Sequence, residues 1–174
     1  MSSYFKYSFT LLLAFFLISC GEQEPERERP REVDGDELLK ANRQLVARER
    51  DKIESYVGRR GWGMEKTGSG LWYEVYEKGS GEGVEQGMNV KIDYKVSLLD
   101  GTVCYSSRED GYKTFRVGHS DIEAGLEEGV LMLAEGDKAR FVLPSYLAHG
   151  LIGDQKKIPP RAVIVYELEV LSVD

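Results

Sequence analysis

The apolar residues of this chain change from helical spacing to a period of two, and that change constrains the fold more than any other feature. From residue 71 onward, apolar side chains recur at every second position, as in half-buried β-strands. The alternation predicts strands at 71–76, 90–98, 102–105, 113–117, 138–143 and 162–170. Asp100-Gly101, between the second and third of these, is typical of a hairpin turn. We therefore expect an antiparallel sheet of five or six strands.

One short helix is predicted among these strands. Leu126, Val130 and Leu133 are spaced i, i+4 and i+7, which places them on one face of a helix. Ser120 and Glu123 have the spacing of a capping box at its start. Because the helix has a single apolar stripe, we expect it to cover the apolar face of the sheet. The predicted fold class is therefore α+β.

An amino-terminal helix is predicted over residues 36–57, within a segment that we place at 36–60, before the strands begin. Its apolar residues follow helical spacing except for a polar gap at 47–52. Asp34 or Asp36 is the expected cap at its start, and Gly58 is the expected end. The stripe suits packing against the carboxy-terminal domain or a simple stalk better than a dimer seam, and it has too few heptads to predict a coiled coil. A monomer and a dimer through this helix both remain open.

The first 19 residues have the composition of a signal peptide. Residues 9–18 are almost entirely apolar, and this run is too short to cross a bilayer of roughly 30 Å as a helix. The segment Leu-Ile-Ser-Cys-Gly at 17–21 resembles a bacterial lipoprotein processing site, where the signal is cut before the cysteine. Cys20 would then carry acyl chains and anchor the protein to a membrane. The alternative is an ordinary secretory signal or an uncleaved anchor that ends in cysteine by chance.

Residues 20–35 are expected to form a disordered tether behind the acylated cysteine. The segment contains six acidic and three basic residues, two prolines and almost nothing apolar. Such a composition offers too little apolar surface to offset the entropy lost on folding. We expect the tether to hold the folded domain off the membrane.

Charge and cysteine content exclude several classes of function. The net charge is −7 and the isoelectric point is about 5.0, whereas nucleic-acid binding requires clustered Lys and Arg. We therefore expect no nucleic-acid partner.

The chain has two cysteines, and acylation of Cys20 leaves Cys104 without a partner for a disulfide. Zinc and iron–sulfur sites built from cysteines lack ligands, and neither a metal nor a cofactor is expected.

Five short segments carry a resemblance to a known protein family through their order and spacing. They are Asp100-Gly101, Ser106-Ser107, Gly125 to Val130, Ile158-Pro159-Pro160 and the strand at 162–170. Together they resemble the FKBP family of peptidyl-prolyl cis-trans isomerases, within a domain that we place at 64–174. The resemblance implies a twisted antiparallel sheet wrapped on one short helix, which agrees with the α+β arrangement predicted above.

The resemblance also implies a type of chemistry. Rotation about a peptide bond meets a barrier of about 18–20 kcal/mol, and only proline makes the cis form common. The family lowers this barrier in a shaped apolar pocket, without a nucleophile, a metal or a cofactor. Proline-containing polypeptides are the implied partners, and an isomerase is the implied enzyme.

Five of the implied pocket positions match the residue types of the family. Tyr94 matches an aromatic wall, and Phe115 and Tyr166 match pocket or underlying aromatic residues. Ile122 and Ile158 match apolar contacts. Without the resemblance, the three aromatic residues would be read as core residues of any such sheet.

Five other positions depart from the family. Cys104 replaces a phenylalanine, Tyr105 an aspartate that hydrogen-bonds ligands, and Glu123 an isoleucine whose backbone is a donor. Leu126 replaces a tryptophan floor, and His149 a tyrosine whose hydroxyl contacts the substrate. The loss of one such hydrogen bond costs about 1–3 kcal/mol, so we expect reduced rather than absent activity.

The resemblance thus assigns catalytic roles to Tyr94, Tyr105, Ile122, Leu126, His149, Ile158 and Tyr166. It assigns substrate contacts to Cys104, Phe115 and Glu123. Considered apart from the resemblance, Cys104 is expected to be a buried small apolar residue. Glu123 is then expected to belong, with Glu127 and Glu128, to a solvated helix face.

Three functions are compatible with these features. The first is a lipid-anchored prolyl isomerase on the periplasmic side of a bacterial cell envelope, where it assists the folding of envelope proteins. The second is a binding or chaperone module with the same fold and no catalysis. The third is an assembly factor for an envelope machine, since the layout resembles the gliding-motility-associated lipoprotein isomerases of bacteria. The inner and the outer membrane both remain open.

Overall fold

The structure is a computed structural model that describes residues 35–174. Its helices are α1 (Gly35–Arg60), α2 (Ser107–Asp110) and α3 (Ala124–Val130), with a 3-10 turn at Ser145–Leu147. Its strands are β1 (Glu65–Lys66), β2 (Trp72–Glu77), β3 (Asn89–Leu98), β4 (Val103–Ser106), β5 (Lys113–Arg116), β6 (Lys138–Leu143) and β7 (Ile164–Val173).

The predicted signal peptide, the lipidation site Cys20 and the tether up to residue 34 lie outside the described residues. None of the helices within 35–174 combines the length and apolar character that a membrane span requires.

All seven strands form one antiparallel sheet in the order β1-β2-β6-β7-β3-β4. β7 lies between β6 and β3 and pairs with both along most of its length. The other edge of β3 pairs first with β5 and then with β4. The predicted α+β fold with an antiparallel sheet is confirmed. The strand that was not predicted is β1, because its two residues are too few to show an alternation of apolar side chains.

The inner face of the sheet packs against α3 at unusually short range. Gly125 and Gly129 face the sheet from the helix and are buried. A Cβ atom on Gly129 would lie 2.5 Å from the ring of Phe141, and one on Gly125 would lie 2.7 Å from the side chain of Leu143. Both distances are too short for a real contact. Glycine at these two positions therefore lets the helix backbone approach the sheet more closely than any other residue would allow.

The two predicted helix ends need correction. Ser120 and Glu123 form no capping box, because the Ser120 hydroxyl donates to the carbonyl of Arg116 and Glu123 makes no side-chain cap. α1 continues past Gly58 to Arg60, and Gly61 follows it with a φ of +66°. Gly61 takes the left-handed conformation that ends a helix, so the expected stop was three residues early.

The carboxy-terminal half of α1 packs against the outer face of the sheet. Ile53, Tyr56 and Val57 are buried and form a second core with Val142 and Val165. Because side chains alternate across a strand, these two valines point away from the core around α3. The amino-terminal half of α1 exposes its apolar residues, among them Leu38, Leu39 and Val46.

This packing predicts a contrast between the two halves of α1. We expect Ile53→Ala to lower the free energy of unfolding by about 2–4 kcal/mol, because Ile53 is 1% exposed and leaves a cavity. Leu38→Ala is the control and should change it by less than about 0.5 kcal/mol, because Leu38 is 57% exposed. Urea unfolding of both variants measures the difference, and equal effects would contradict the packing.

Candidate functional site

A cavity of about 420 Å³ opens between the inner face of the sheet, the residues before α3 and the loop after the 3-10 turn. Its lining residues are Tyr94, Val96, Tyr105, Lys113, Asp121, Ile122, Glu123, Ala148, His149, Asp154, Lys156 and Tyr166. A hollow of similar volume, about 480 Å³, lies beside α1, but it contains none of the residues that the resemblance assigned to the site.

Two tyrosines from neighbouring strands form the aromatic wall of the cavity. Val96 of β3 lies opposite Tyr166 of β7 in the register, so Tyr94, two residues earlier on the same face, is a diagonal neighbour of Tyr166. The ring centroids are 6.4 Å apart and the planes are tilted by 38°. Tyr166 is fully buried and Tyr94 nearly so.

A buried carboxylate closes one end of this wall. The hydroxyl of Tyr166 donates to Oε1 of Glu123 at 2.9 Å, and Nε2 of His149 lies 3.1 Å from the same oxygen. Lys113 Nζ lies 3.7 Å from Oε2 of Glu123, and no hydrogen-bond donor within residues 35–174 reaches that oxygen. The Lys113 ammonium is therefore the charge that compensates it.

The expectation that Glu123 lies on a solvated helix face is wrong. Its side chain is only 9% exposed. Glu123 precedes the first turn of α3 with an extended backbone, at φ −61° and ψ 133°, so its side chain does not follow the helix surface. It lines the cavity instead, which helical periodicity cannot predict for a residue outside the helix.

Both wall tyrosines stay protonated far above neutral pH. Burial raises the pKa of the Tyr166 phenol well above its ordinary value, and the adjacent charge of Glu123 raises it further. Burial also raises the pKa of Tyr94, with smaller contributions from Asp110 and Glu123. The cavity therefore presents neutral phenols at any physiological pH.

A second carboxylate, that of Asp154, lies in the loop that follows the 3-10 turn. The hydroxyl of Tyr105 donates a short hydrogen bond to Asp154, which also accepts the backbone N–H groups of Lys156 and Ile158. The bond to Asp154 and partial burial raise the pKa of Tyr105 to about 12. Burial alone would raise the pKa of Asp154, but hydrogen bonding from Tyr105 and from the loop backbone outweighs it and lowers the value to about 2.

The structure brings together six of the ten residues that the resemblance assigned to the pocket. Those that line the cavity are Tyr94, Tyr105, Ile122, Glu123, His149 and Tyr166. The other four do not line it and lie in the surrounding core: Cys104, Phe115, Leu126 and Ile158. The substrate and catalytic roles that the resemblance assigns to these four residues stay predictions. Cys104 is 1% exposed, as expected for a small apolar core residue.

Sequence reasoning missed several lining residues, chiefly Lys113 and Asp154. Lys113 appeared only as the first residue of a predicted strand, and its ion pair with Glu123 joins residues that are distant in sequence. Asp154 did carry a local signal, because an Asp side chain that bonds the N–H two residues later is a common turn motif. Within residues 35–174 no group of three or more metal-ligating side chains is placed to hold a metal ion.

The Tyr105–Asp154 contact predicts a specific pH dependence. Because the folded-state pKa of Asp154 lies below its ordinary 3.8, the carboxylate contributes stability above about pH 4 that is lost as the pH falls toward 2. We expect Asp154→Asn to lower the melting temperature by a few degrees at pH 7 and by progressively less between pH 4 and 2. Thermal melts across this range test it, with Asp121→Asn, at the exposed rim, as the control. If the melting temperatures of Asp154→Asn and the unmodified protein differed by the same amount at every pH, the stabilising role of the Asp154 carboxylate would be contradicted.

Comparison with known proteins places this site in a family. Residues 81–171 match the family model of FKBP-type peptidyl-prolyl cis-trans isomerases. The probable FKBP-type peptidyl-prolyl cis-trans isomerase FkpA of Neisseria meningitidis is 36% identical over 112 residues, which are 64% of this chain and 40% of that protein. FkpA of Aeromonas hydrophila is 37% identical over 113 residues, 64% of this chain and 41% of that protein. The chain thus spans about two-fifths of the length of these relatives.

The fold comparison agrees with the sequence comparison. The crystal structure of FkpA from Escherichia coli superposes with a TM-score of 0.62 and 25% sequence identity, covering 82% of this chain and 74% of that one. The match to the family model extends over more than half of the chain and includes all the lining residues of the cavity. On these grounds the chain belongs to the family of FKBP-type peptidyl-prolyl cis-trans isomerases.

Proposed function

We propose that this protein is a peptidyl-prolyl cis-trans isomerase that acts on proline-containing polypeptides. The observation that carries the proposal is the wall formed by Tyr94 and Tyr166 inside the cavity of an FKBP-type fold. The accessible part of the Tyr94 ring, backed by the buried ring of Tyr166, offers an apolar surface to a proline ring. The cavity volume of about 420 Å³ also suits a short peptide segment.

The expected chemistry is stabilisation of a twisted amide. The planar amide separates charge more than the twisted one, so a water-poor aromatic wall disfavours the ground state relative to the transition state. The hydroxyls of Tyr166 and Tyr105 already donate to Glu123 and Asp154. The hydroxyl of Tyr94 and the imidazole of His149 are the remaining cavity groups of these kinds that can orient the carbonyl groups of the client. A millionfold acceleration requires about 8 kcal/mol, which such positioning and desolvation must supply.

The aromatic wall predicts the effect of removing one ring. We expect Tyr94→Ala to lower kcat/KM for a peptide of the Ala-Leu-Pro-Phe type about tenfold or more, because the proline loses the wall ring that is accessible from the cavity. Tyr94→Phe should retain most of the activity, since the ring remains. Tyr112→Ala is the matched control, because Tyr112 is 59% exposed and lies outside the cavity. Rates for the unmodified protein no different from buffer would overturn the proposed function.

A second candidate is a binding or chaperone module with this fold. The observation that favours it is the carboxylate of Glu123 on the cavity wall, where the family pattern has an apolar side chain. A charged group there reduces the apolar surface that catalysis uses. If the module only binds, Tyr94→Ala leaves cellular function intact while the isomerase assay of the purified protein shows no activity for any variant.

The envelope location belongs to the same proposal. The protein is lipid-anchored through Cys20 on the periplasmic side of a bacterial membrane, and its clients are envelope proteins. The support is the apolar run at 9–18 followed by Leu-Ile-Ser-Cys-Gly and by the charged segment at 21–34. A narrower form of the proposal is assembly of one envelope machine, such as the gliding apparatus, which the overall layout of the chain suggests.

Lipidation predicts a single labelled residue. We expect Cys20→Ala to abolish incorporation of radiolabelled palmitate and to release the protein from membranes, because the acyl chains supply the anchor. Cys104→Ala serves as the control and should leave labelling unchanged, since Cys104 is buried in the core. Labelling that survives in the Cys20 variant would exclude this anchor.

A further inference from the structure

One carboxylate of α1 is bonded to the base of the cavity loop. Oε2 of Glu49 accepts the backbone N–H of Ser145 at 2.9 Å, and Oε1 accepts the Ser145 hydroxyl at 2.7 Å. The two residues are 96 positions apart in sequence. Ser145 is 5% exposed, so the contact lies largely out of water. Because both oxygens bind the same residue, the contact sets the orientation of Ser145 as well as its position.

The helix that carries Glu49 is itself held in place. Ile53, one turn later, is 1% exposed and packs in the outer core with Val142 of β6. Val142 lies three residues before Ser145. The apolar contact and the carboxylate contact therefore tie α1 to the same stretch of chain, and this stretch leads directly into the loop.

Backbone hydrogen bonds connect Ser145 to the residues of the cavity. The carbonyl of Ser145 accepts the N–H of Ala148 at 3.1 Å and the N–H of Gly150 at 2.8 Å. These two residues flank His149, whose Nε2 lies 3.1 Å from Glu123 on the cavity wall. The backbone on both sides of the imidazole is thus bonded to the one residue that Glu49 orients.

Attachment of α1 to the sheet does not by itself explain the contact between Glu49 and Ser145. Ile53, Tyr56 and Val57 already bury the apolar face of α1 against the sheet. A partly buried carboxylate costs desolvation free energy, and Ser145 supplies the hydrogen bonds that compensate it. The contact lies at the point where the strand becomes the loop, so it holds the start of the loop as well as the helix.

We propose that Glu49 is a positioning residue for the isomerase site, and that it acts through Ser145 to hold His149 against the cavity. The inference rests on the proposed isomerase activity and deepens it, because it makes α1 part of the working site. The loop that carries His149 and Asp154 then has its orientation set from the opposite face of the sheet.

The test uses variants of the full-length protein: Glu49→Ala, Glu49→Gln, Ser145→Ala, the Glu49→Ala/Ser145→Ala double variant and the control Glu54→Ala. Glu54 lies on the same helix, is exposed and pairs only weakly with Arg50 at 3.9 Å. Isomerase kinetics give kcat and KM, the imidazole resonances of His149 report its position, and melting temperatures report folding.

We expect Glu49→Ala to lower kcat/KM threefold to tenfold and to shift or broaden the His149 resonances. Glu49→Gln should stay within about twofold of the unmodified protein, because an amide oxygen still accepts the Ser145 N–H. The double variant should be no worse than Glu49→Ala alone, since both changes remove one contact. Glu54→Ala should change nothing.

Unchanged His149 resonances and unchanged kcat/KM in Glu49→Ala would overturn the inference. So would an activity loss that only follows the fraction of unfolded protein. If Glu49→Ala fails to fold, Ser145→Ala supplies the comparison, because it removes the hydroxyl contact to Glu49 and should lower kcat/KM and shift the His149 resonances in the same direction, with Glu49→Gln as its control. An unmodified protein without isomerase activity would overturn the proposed function, while the His149 resonances would still decide whether Glu49 positions the loop.

Discussion

The close approach of α3 to the sheet is the constraint on which the cavity depends. Because Gly125 and Gly129 carry no side chain, the helix backbone lies directly over Phe141 and Leu143. Glu123, the residue just before the helix, is thereby held near the tyrosine wall, where its carboxylate accepts the hydrogen bond of the Tyr166 hydroxyl. A larger residue at either glycine would push the helix outward, and the carboxylate would lose its partners.

Charge in the cavity is compensated locally, and this makes a polar version of the site stable. Glu123 lies beside Lys113 and His149, and Asp154 accepts a hydrogen bond from Tyr105. Each carboxylate has a hydrogen-bond donor or a positive charge within reach, as a charged group out of water requires. The aromatic surface therefore coexists with two charged groups. The site therefore differs from an apolar pocket in the two carboxylates of Glu123 and Asp154, while its wall remains aromatic.

Most of the fold could be predicted from the sequence because its signals are local. Alternating apolar residues set the strands to within about two residues at most ends, and Asp100-Gly101 correctly predicted the turn between β3 and β4. The errors occurred where the local pattern was too short or ambiguous. β1 has two residues, α2 is a single turn, and Gly58 lies inside α1, which ends at Arg60.

For the site as well, some features could be predicted from local sequence pattern and others depended on packing. Residue types along the chain identified the family and placed Tyr94 and Tyr166 on strands, because strand period and motif spacing are properties of neighbouring residues. The inward turn of Glu123, its pairing with Lys113 and the contact of Glu49 with Ser145 join positions that are distant in sequence. Such contacts arise when separate elements pack together, so no spacing in the chain encodes them, and they were visible only once the sheet and helices were assembled.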